Sequence, residues 1–274
     1  MLTRSQIVEL LDRNGLNPSR ALGQNFVADP NTVRRIARLA GVGPGDHVVE
    51  IGPGLGSLTL ALAEAGARVT AVELDRHIVG VLRSVVAGLD VEVVEGDATS
   101  IDWAALLGDS ERWTLVANLP YNVATPLVLD LLDRVAVIDT MLVMVQREVG
   151  ERLAATPGSK AYGIPSVKVA YHATAEVVGK VPATVFIPKP RVDSVLVRIV
   201  RRAGGPATPA DATRLFSLVR TGFGQRRKML RRSLVDKVDD SAFAAAGVRP
   251  EARAEELSVE DWGRLADAAD RMLR

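Results

Sequence analysis

Glu50-Ile51-Gly52-Pro53-Gly54-Leu55-Gly56-Ser57 is the stretch on which the fold turns. It follows a β-branched apolar run, HVVEIG (47–52), and opens a helical pattern over 57–65. A glycine-rich turn between a buried strand and a helix lets backbone approach a nucleotide-like ligand closely. Working outward, RVTAVEL (68–74), VEVVEGD (91–97), WTLVANL (113–119) and MLVMVQ (141–146) read as further strands. Helical patterns over 76–87 and 126–135 fall between them. Such alternation predicts a parallel sheet with crossover helices, and the near-continuous apolarity of the runs fits strands buried on both faces. Two later strands, within 172–181 and 194–200 and joined by the proline-rich loop 182–190, are expected to add one antiparallel member. The segment AGGPATP (203–209) reads as a linker, and helical patterns dominate beyond it. The expectation is an α/β fold, a Rossmann-like, mostly parallel sheet over residues 1–202, with a small all-α domain over 203–274.

The chain has 274 residues, enough for a catalytic domain of roughly 150–200 residues and an appendage. It has no cysteine, which excludes disulfides, thiolate metal sites and a cysteine nucleophile. Its three histidines, His47, His77 and His172, are dispersed, so no metal site is expected. The first 15 residues carry Glu9 and Asp12 and show no signal-peptide core, and no run approaches the about 18 apolar residues of a membrane span. A cytoplasmic protein is expected. Net charge is only +1, but 220–234 (RTGFGQRRKMLRRSL) holds six positive charges and no acid. Arg226, Arg227, Lys228, Arg231 and Arg232 lie within two helical turns there, a dense patch suited to phosphate contacts.

Polar residues end the second, third and fourth of these strands. Glu73 lies about 20 residues beyond the glycines, where a carboxylate accepts ribose hydroxyl protons. Asp97, followed by Ala98, can accept from an adenine amine, and Asn118 ends the fourth strand. All converge on the crevice where open α/β sheets bind ligands. The glycines are spaced G-x-G-x-G rather than G-x-G-x-x-G, which departs from the dinucleotide fingerprint and disfavours a nicotinamide oxidoreductase. A G-x-G turn preceded by an acid, here Glu50, is more typical of S-adenosylmethionine enzymes, whose cofactor has no pyrophosphate.

Asn118-Leu119-Pro120-Tyr121 is the motif that carries chemistry. An adenine amine is a poor nucleophile because its lone pair is delocalised into the ring. Accepting one amine hydrogen on the Asn118 side-chain oxygen and the other on the Leu119 carbonyl would free that lone pair. Pro120 stiffens the turn, and Tyr121 can stack on the base. Such a base must be unstacked to reach the pocket, and Phe186 could supply a second wall.

Leu22-Gly-Gln-Asn-Phe26, VEIGPGLGSLT (49–59), NLPYN (118–122), SKAYG (159–163), FIPKPRVDS (186–194) and FGQRRKMLRRSL (223–234) together resemble the ribosomal RNA adenine dimethyltransferase family of the KsgA type. The resemblance runs from about residue 20 to the carboxyl terminus. It implies an S-adenosylmethionine methyltransferase sheet and dimethylation of two adjacent adenosines near the 3′ end of 16S rRNA during small-subunit assembly. By position it implies cofactor contacts from Gln24, Asn25, the Val27 backbone, the Gly52 and Gly54 turn, Glu73, Asp97, Ala98 and Asn118. It also implies a catalytic set of Asn118, Leu119, Pro120 and Tyr121, with Phe186 facing the target base. Expected partners are small-subunit rRNA or the immature small subunit, with no membrane, no metal and a monomeric state. The rivals are a large-subunit rRNA methyltransferase of the macrolide-resistance type and a non-catalytic RNA-binding assembly factor.

Overall fold

A computed structural model describes residues 1–19, 23–108, 112–120 and 123–271. Packing groups the chain into two compact units, Met1–Gly150 with Glu176–Val200, and Glu151–Ala175 with Arg201–Arg274.

The first unit opens with α1 (Arg4–Arg13), β1 (Phe26–Val27) and α2 (Pro30–Ala40). There follow β2 (His47–Ile51), α3 (Ser57–Glu64), β3 (Arg68–Glu73), α4 (Arg76–Val85), β4 (Val91–Glu95), α5 (Trp103–Leu107), β5 (Trp113–Asn118), α6 (Ala124–Arg134) and β6 (Ile138–Gln146). After α7 (Arg147–Leu153) and α8 (Ile164–His172), the sheet is completed by β7 (Ala173–Val181) and β9 (Ser194–Arg201), with the short β8 (Phe186–Ile187) between them.

Seven strands form one sheet in the order β4-β3-β2-β5-β6-β9-β7. The pairings β2·β3, β2·β5, β3·β4 and β5·β6 are parallel, and β9 runs antiparallel to β6. The chain starts at β2, winds outward through β3 and β4, then returns to β5 on the other side. That reversal is the topological switch point, and it leaves a crevice at the carboxyl ends of β2 and β5. The strands are apolar because helices cover them: Val48 and Val69 share one core with Val33, Ile36, Leu58, Leu62 and Leu82.

None of the three elements α1, β1 and α2 ahead of the glycine turn was expected. In α2 the Asp29 carboxylate accepts from the Asn31 and Thr32 amides at 3.4 and 3.0 Å, Pro30 occupies the first turn, and Gly41 ends the helix at φ +70°. β1 pairs antiparallel with β8, Phe26 opposite Ile187 and Val27 opposite Phe186, in a separate two-stranded sheet. Among the described residues no helix is long and apolar enough to cross a membrane.

The second unit holds α8 with α9 (Ala212–Gly224), α10 (Leu230–Ser233), α11 (Asp240–Ala246) and α12 (Val259–Arg271). It therefore recruits residues 151–175, which the expected division at 202/203 assigned to the first domain. The reason is apolar burial: Tyr162, Val167 and Tyr171 sit in one core with Leu215, Phe243 and Trp262. The Tyr162 hydroxyl donates to the Leu257 carbonyl at 3.0 Å, and the Gly158 amide to the Glu255 carbonyl at 2.7 Å.

Candidate active site

A cavity of about 250 Å³ sits in the crevice at the switch point. It brings together Glu50 of β2, Gly52 after it, Glu73 of β3, Asp97 and Ala98 after β4, Asn118 of β5, Pro120, and Gln24, Asn25 and Val27 from the amino-terminal segment. Residues far apart in sequence meet because parallel strands present all their carboxyl ends on one edge.

The glycine turn is shaped for close approach. Gly52, Gly54 and Gly56 all have positive φ, and a Cβ on Gly54 would stand 2.8 Å from the Phe26 ring. The turn is tied to β3 through Glu73, whose Oε2 accepts the Gly54 amide at 3.0 Å and whose Oε1 accepts the Asp75 amide at 2.9 Å. Burial raises the Glu73 carboxyl above its ordinary range, and these two amides counter part of that.

Glu50 is 1% exposed, and its Oε2 has no hydrogen-bond partner among the described residues. Burial pushes its carboxyl up to about 8, with the Thr59 hydroxyl offsetting part and repulsion from Glu73 adding to it. The Ser57 hydroxyl, also on the cavity wall, is likewise buried without a partner among the described residues. Orphaned buried acceptors are costly, so their concentration on one wall marks where a polar ligand completes the hydrogen bonding. Asp97 is exposed, with Oδ1 accepting the Thr99 amide and hydroxyl at 2.8 and 2.7 Å.

Asn118 is half-buried, and its Nδ2 donates to the Asn25 carbonyl at 2.9 Å. The Leu119 amide donates to the Met144 carbonyl at 3.1 Å, anchoring the turn to β6. Tyr121 lies outside the described residues. Phe186 departs from expectation: it is 1% exposed, packs in the core with Val27, Val33 and Leu196, and does not line the cavity. Its pairing with β1 turns it inward, so it supports the wall from behind.

Sequence reading missed Asp75, which accepts from Gln24 Nε2 at 2.8 Å and from the His77 amide at 3.0 Å at the start of α4. An aspartate just before an amphipathic helical run is an N-cap signal that could have found it.

In the second unit the basic run is not one continuous helix face. Residues 225–228 form a turn before the four-residue α10. Arg226 is committed to structure, paired with Glu255 at 2.6 Å and donating to the Lys160 carbonyl at 2.9 Å. Arg231 reaches Glu251 at 3.5 Å. Arg227, Lys228 and Arg232 are exposed.

The cavity wall carries three acidic side chains, Glu50, Glu73 and Asp97, of which the buried Glu50 keeps its proton at neutral pH, and among its described residues no lysine, arginine or histidine. Such a wall repels a pyrophosphate and suits a ligand bearing positive charge, as S-adenosylmethionine does with its sulfonium and ammonium groups. The family pattern of ribosomal RNA adenine dimethylases matches residues 15–271. The chain belongs to the ribosomal RNA adenine dimethylase family. Ribosomal RNA small subunit methyltransferase A of Leifsonia xyli subsp. xyli is 49% identical, over 97% of this chain and 98% of that one. The protein of the same name from Bifidobacterium adolescentis is 48% identical, over 93% and 90%. Among solved structures, the 23S rRNA methyltransferase ErmE is 29% identical with a TM-score of 0.69, over 89% of this chain and 99% of that one. A dimethyladenosine transferase from Plasmodium falciparum shares the fold, with a TM-score of 0.72 at 23% identity over 86% and 94%. For this dimethylase family member the cofactor is S-adenosylmethionine, and the buried polar atoms of the cavity wall that lack partners among the described residues fit it.

Proposed function

We propose that this chain dimethylates the N6 amines of two adjacent adenosines near the 3′ end of 16S rRNA, acting on the immature small subunit in the cytoplasm as a monomer. The observation that carries the reading is the placement of Asn118 on the wall of an acid-lined, cation-free cavity. Likeness to relatives named for the small subunit, at 48–49% identity, favours that substrate over the large subunit.

When bound, S-adenosylmethionine supplies a methyl group activated by positive sulfur, so the transfer needs positioning more than acid–base help. Glu73 accepts from the ribose hydroxyls while holding the Gly54 amide, and Asp97 with Ala98 receives the adenine ring. Gly52 and Gly54 let backbone approach the cofactor, and Gln24, Asn25 and the Val27 backbone close the cavity over it. Asn118 Oδ1 and the Leu119 carbonyl accept the two hydrogens of the target amine, freeing its lone pair for the methyl carbon. Pro120 stiffens that turn, and Tyr121 stacks on the flipped base. Arg227, Lys228, Arg231 and Arg232 of the helical unit contact phosphates. Arg226 supports them structurally, and Phe186 supports the pocket wall.

The test is transfer of labelled methyl to purified unmethylated small subunits and, separately, to unmethylated large-subunit RNA, with nucleotide mapping. Label on adjacent small-subunit adenines is expected. Label confined to large-subunit RNA points to an activity like the one ErmE is named for, and none on either points to a non-catalytic RNA-binding role. Asn118→Ala is expected to lower the transfer rate by roughly 100–1000-fold with the fold intact. Glu73→Ala is expected to weaken cofactor binding by roughly 10–100-fold in calorimetry, since it removes a charged acceptor and loosens the turn.

A further inference from the structure

We infer that the main-chain carbonyl of Asn25 is a positioning group for methyl transfer: it fixes the Asn118 amide so that Oδ1, and not Nδ2, faces the target amine. The inference rests on the adenine-N6 reading above and deepens it. Asn118 Nδ2 lies 2.9 Å from the Asn25 carbonyl oxygen. A carbonyl oxygen can only accept, so the amide nitrogen must occupy that branch and the oxygen must take the other. A rotated amide would present two N–H donors to an amine that itself donates, and would set two acceptors against each other at Asn25.

The carbonyl is in turn held from both sides. Asn25 Nδ2 donates to the Gly23 carbonyl at 3.0 Å. Gln24 accepts the Ser19 amide at 2.7 Å and donates to Asp75 at 2.8 Å, and Phe26 pairs with Ile187. The segment 23–27 therefore does two jobs: it lines the cofactor cavity and it sets the polarity of the acceptor at its edge.

Residue 118 must donate on one branch and accept on the other. Asparagine does both at every pH. An ionised aspartate keeps an acceptor for the target amine but places a second oxygen against the Asn25 carbonyl, and the pair repel. A protonated aspartate restores the pattern: its O–H donates to Asn25 and its C=O accepts from the amine. Asn118→Asp is thus expected to be an acid-rescued enzyme. Glu50, Glu73 and Asp97 line the same cavity and Asp75 holds Gln24. Both proteins carry all four, so the wild-type profile is the reference.

The experiment measures single-turnover methyl transfer to small subunits at saturating cofactor, for wild type and Asn118→Asp, from about pH 5.5 to about pH 8.5. The variant is expected to be roughly 100-fold slower than wild type at the alkaline end, with that ratio shrinking at least about tenfold at the acid end. A ratio that stays flat with pH overturns the inference, whether the variant is active or dead. A wild-type protein that methylates no small-subunit adenine refutes the function itself, a separate outcome. If Asn118→Asp does not fold, Gln24→Ala reports instead, because it frees the segment from Asp75 without altering residue 118. A lower rate at saturating cofactor supports the inference, and an effect confined to cofactor affinity overturns it.

Discussion

Glu50 sits 1% exposed at the base of the glycine turn, and its carboxyl is pushed up to about 8 by burial. Its ordinary value is 4.5, so the folded, ligand-free protein holds this proton more tightly than the unfolded chain does. The resulting stabilisation is complete below 4.5 and is lost progressively as pH rises towards 8. Glutamine mimics the protonated acid. Glu50→Gln is therefore expected to match wild type near about pH 4.5 and to be more stable near about pH 8.5, by on the order of a few kcal/mol. Chemical denaturation of the cofactor-free proteins across this range checks it, and parallel pH slopes for the two would sink the idea. Glu73, Asp97 and Asn118 were legible in the sequence because each ends a strand, and strand ends of a parallel sheet converge whatever the packing details. The isolation of Glu50 Oε2 was not legible, since a missing partner depends on three-dimensional neighbours. Nor was the burial of Phe186, because a two-residue strand has no alternation to read and its facing is set by pairing with Val27.

β2 through β6 and the helices α3, α4 and α6 were read from periodicity and fall within a few residues of their expected positions, whereas α5, α7 and α8 were not read. α1 and α2 were not, although their ends carry local signals: Thr3 and Gln6 form a capping box, and Asp29-Pro30 with Gly41 brackets α2. The basic run shows the opposite failure, an element assumed longer than it is. Helical spacing over 226–232 implied one cationic face, yet a turn intervenes and Arg226 binds Glu255 and the Lys160 carbonyl. These roles predict different phenotypes for neighbouring arginines. Arg226→Ala is expected to lower stability by about 1 kcal/mol, since the pair is partly exposed, and to shift the melting temperature by a few degrees. Arg227→Ala is expected to leave the melt unchanged and to weaken RNA binding. Thermal melts alongside filter binding of small-subunit RNA check the pair, and an identical profile for the two variants would contradict the assignment.

At the scale of the whole molecule, a net charge of +1 gives little long-range attraction to a polyanion, so affinity must come from local contacts. The contiguous division expected at 202/203 missed that residues 151–175 pack with 201–274, because apolar periodicity reports that a face is buried but not which core buries it. Tyr162 and Tyr171, tied to Leu257 and to the core of α9, α11 and α12, are the residues that decide it. The SKAYG segment and the basic run therefore belong to one packed unit, fastened by Arg226, and of the five basic residues at 226–232 it leaves Arg227, Lys228, Arg231 and Arg232 exposed. Each phosphate they neutralise releases counterions, which steepens the fall of affinity with salt by about 0.7–0.9 in the logarithmic slope per contact. Replacing Arg227, Lys228 and Arg232 together by alanine is expected to reduce that slope by roughly two to three and to weaken binding at low salt, while transfer at saturating substrate is largely preserved. Affinity titrations of small-subunit RNA across a salt series measure it directly. An unchanged slope would move the phosphate contacts to another surface and leave the run with only its structural role.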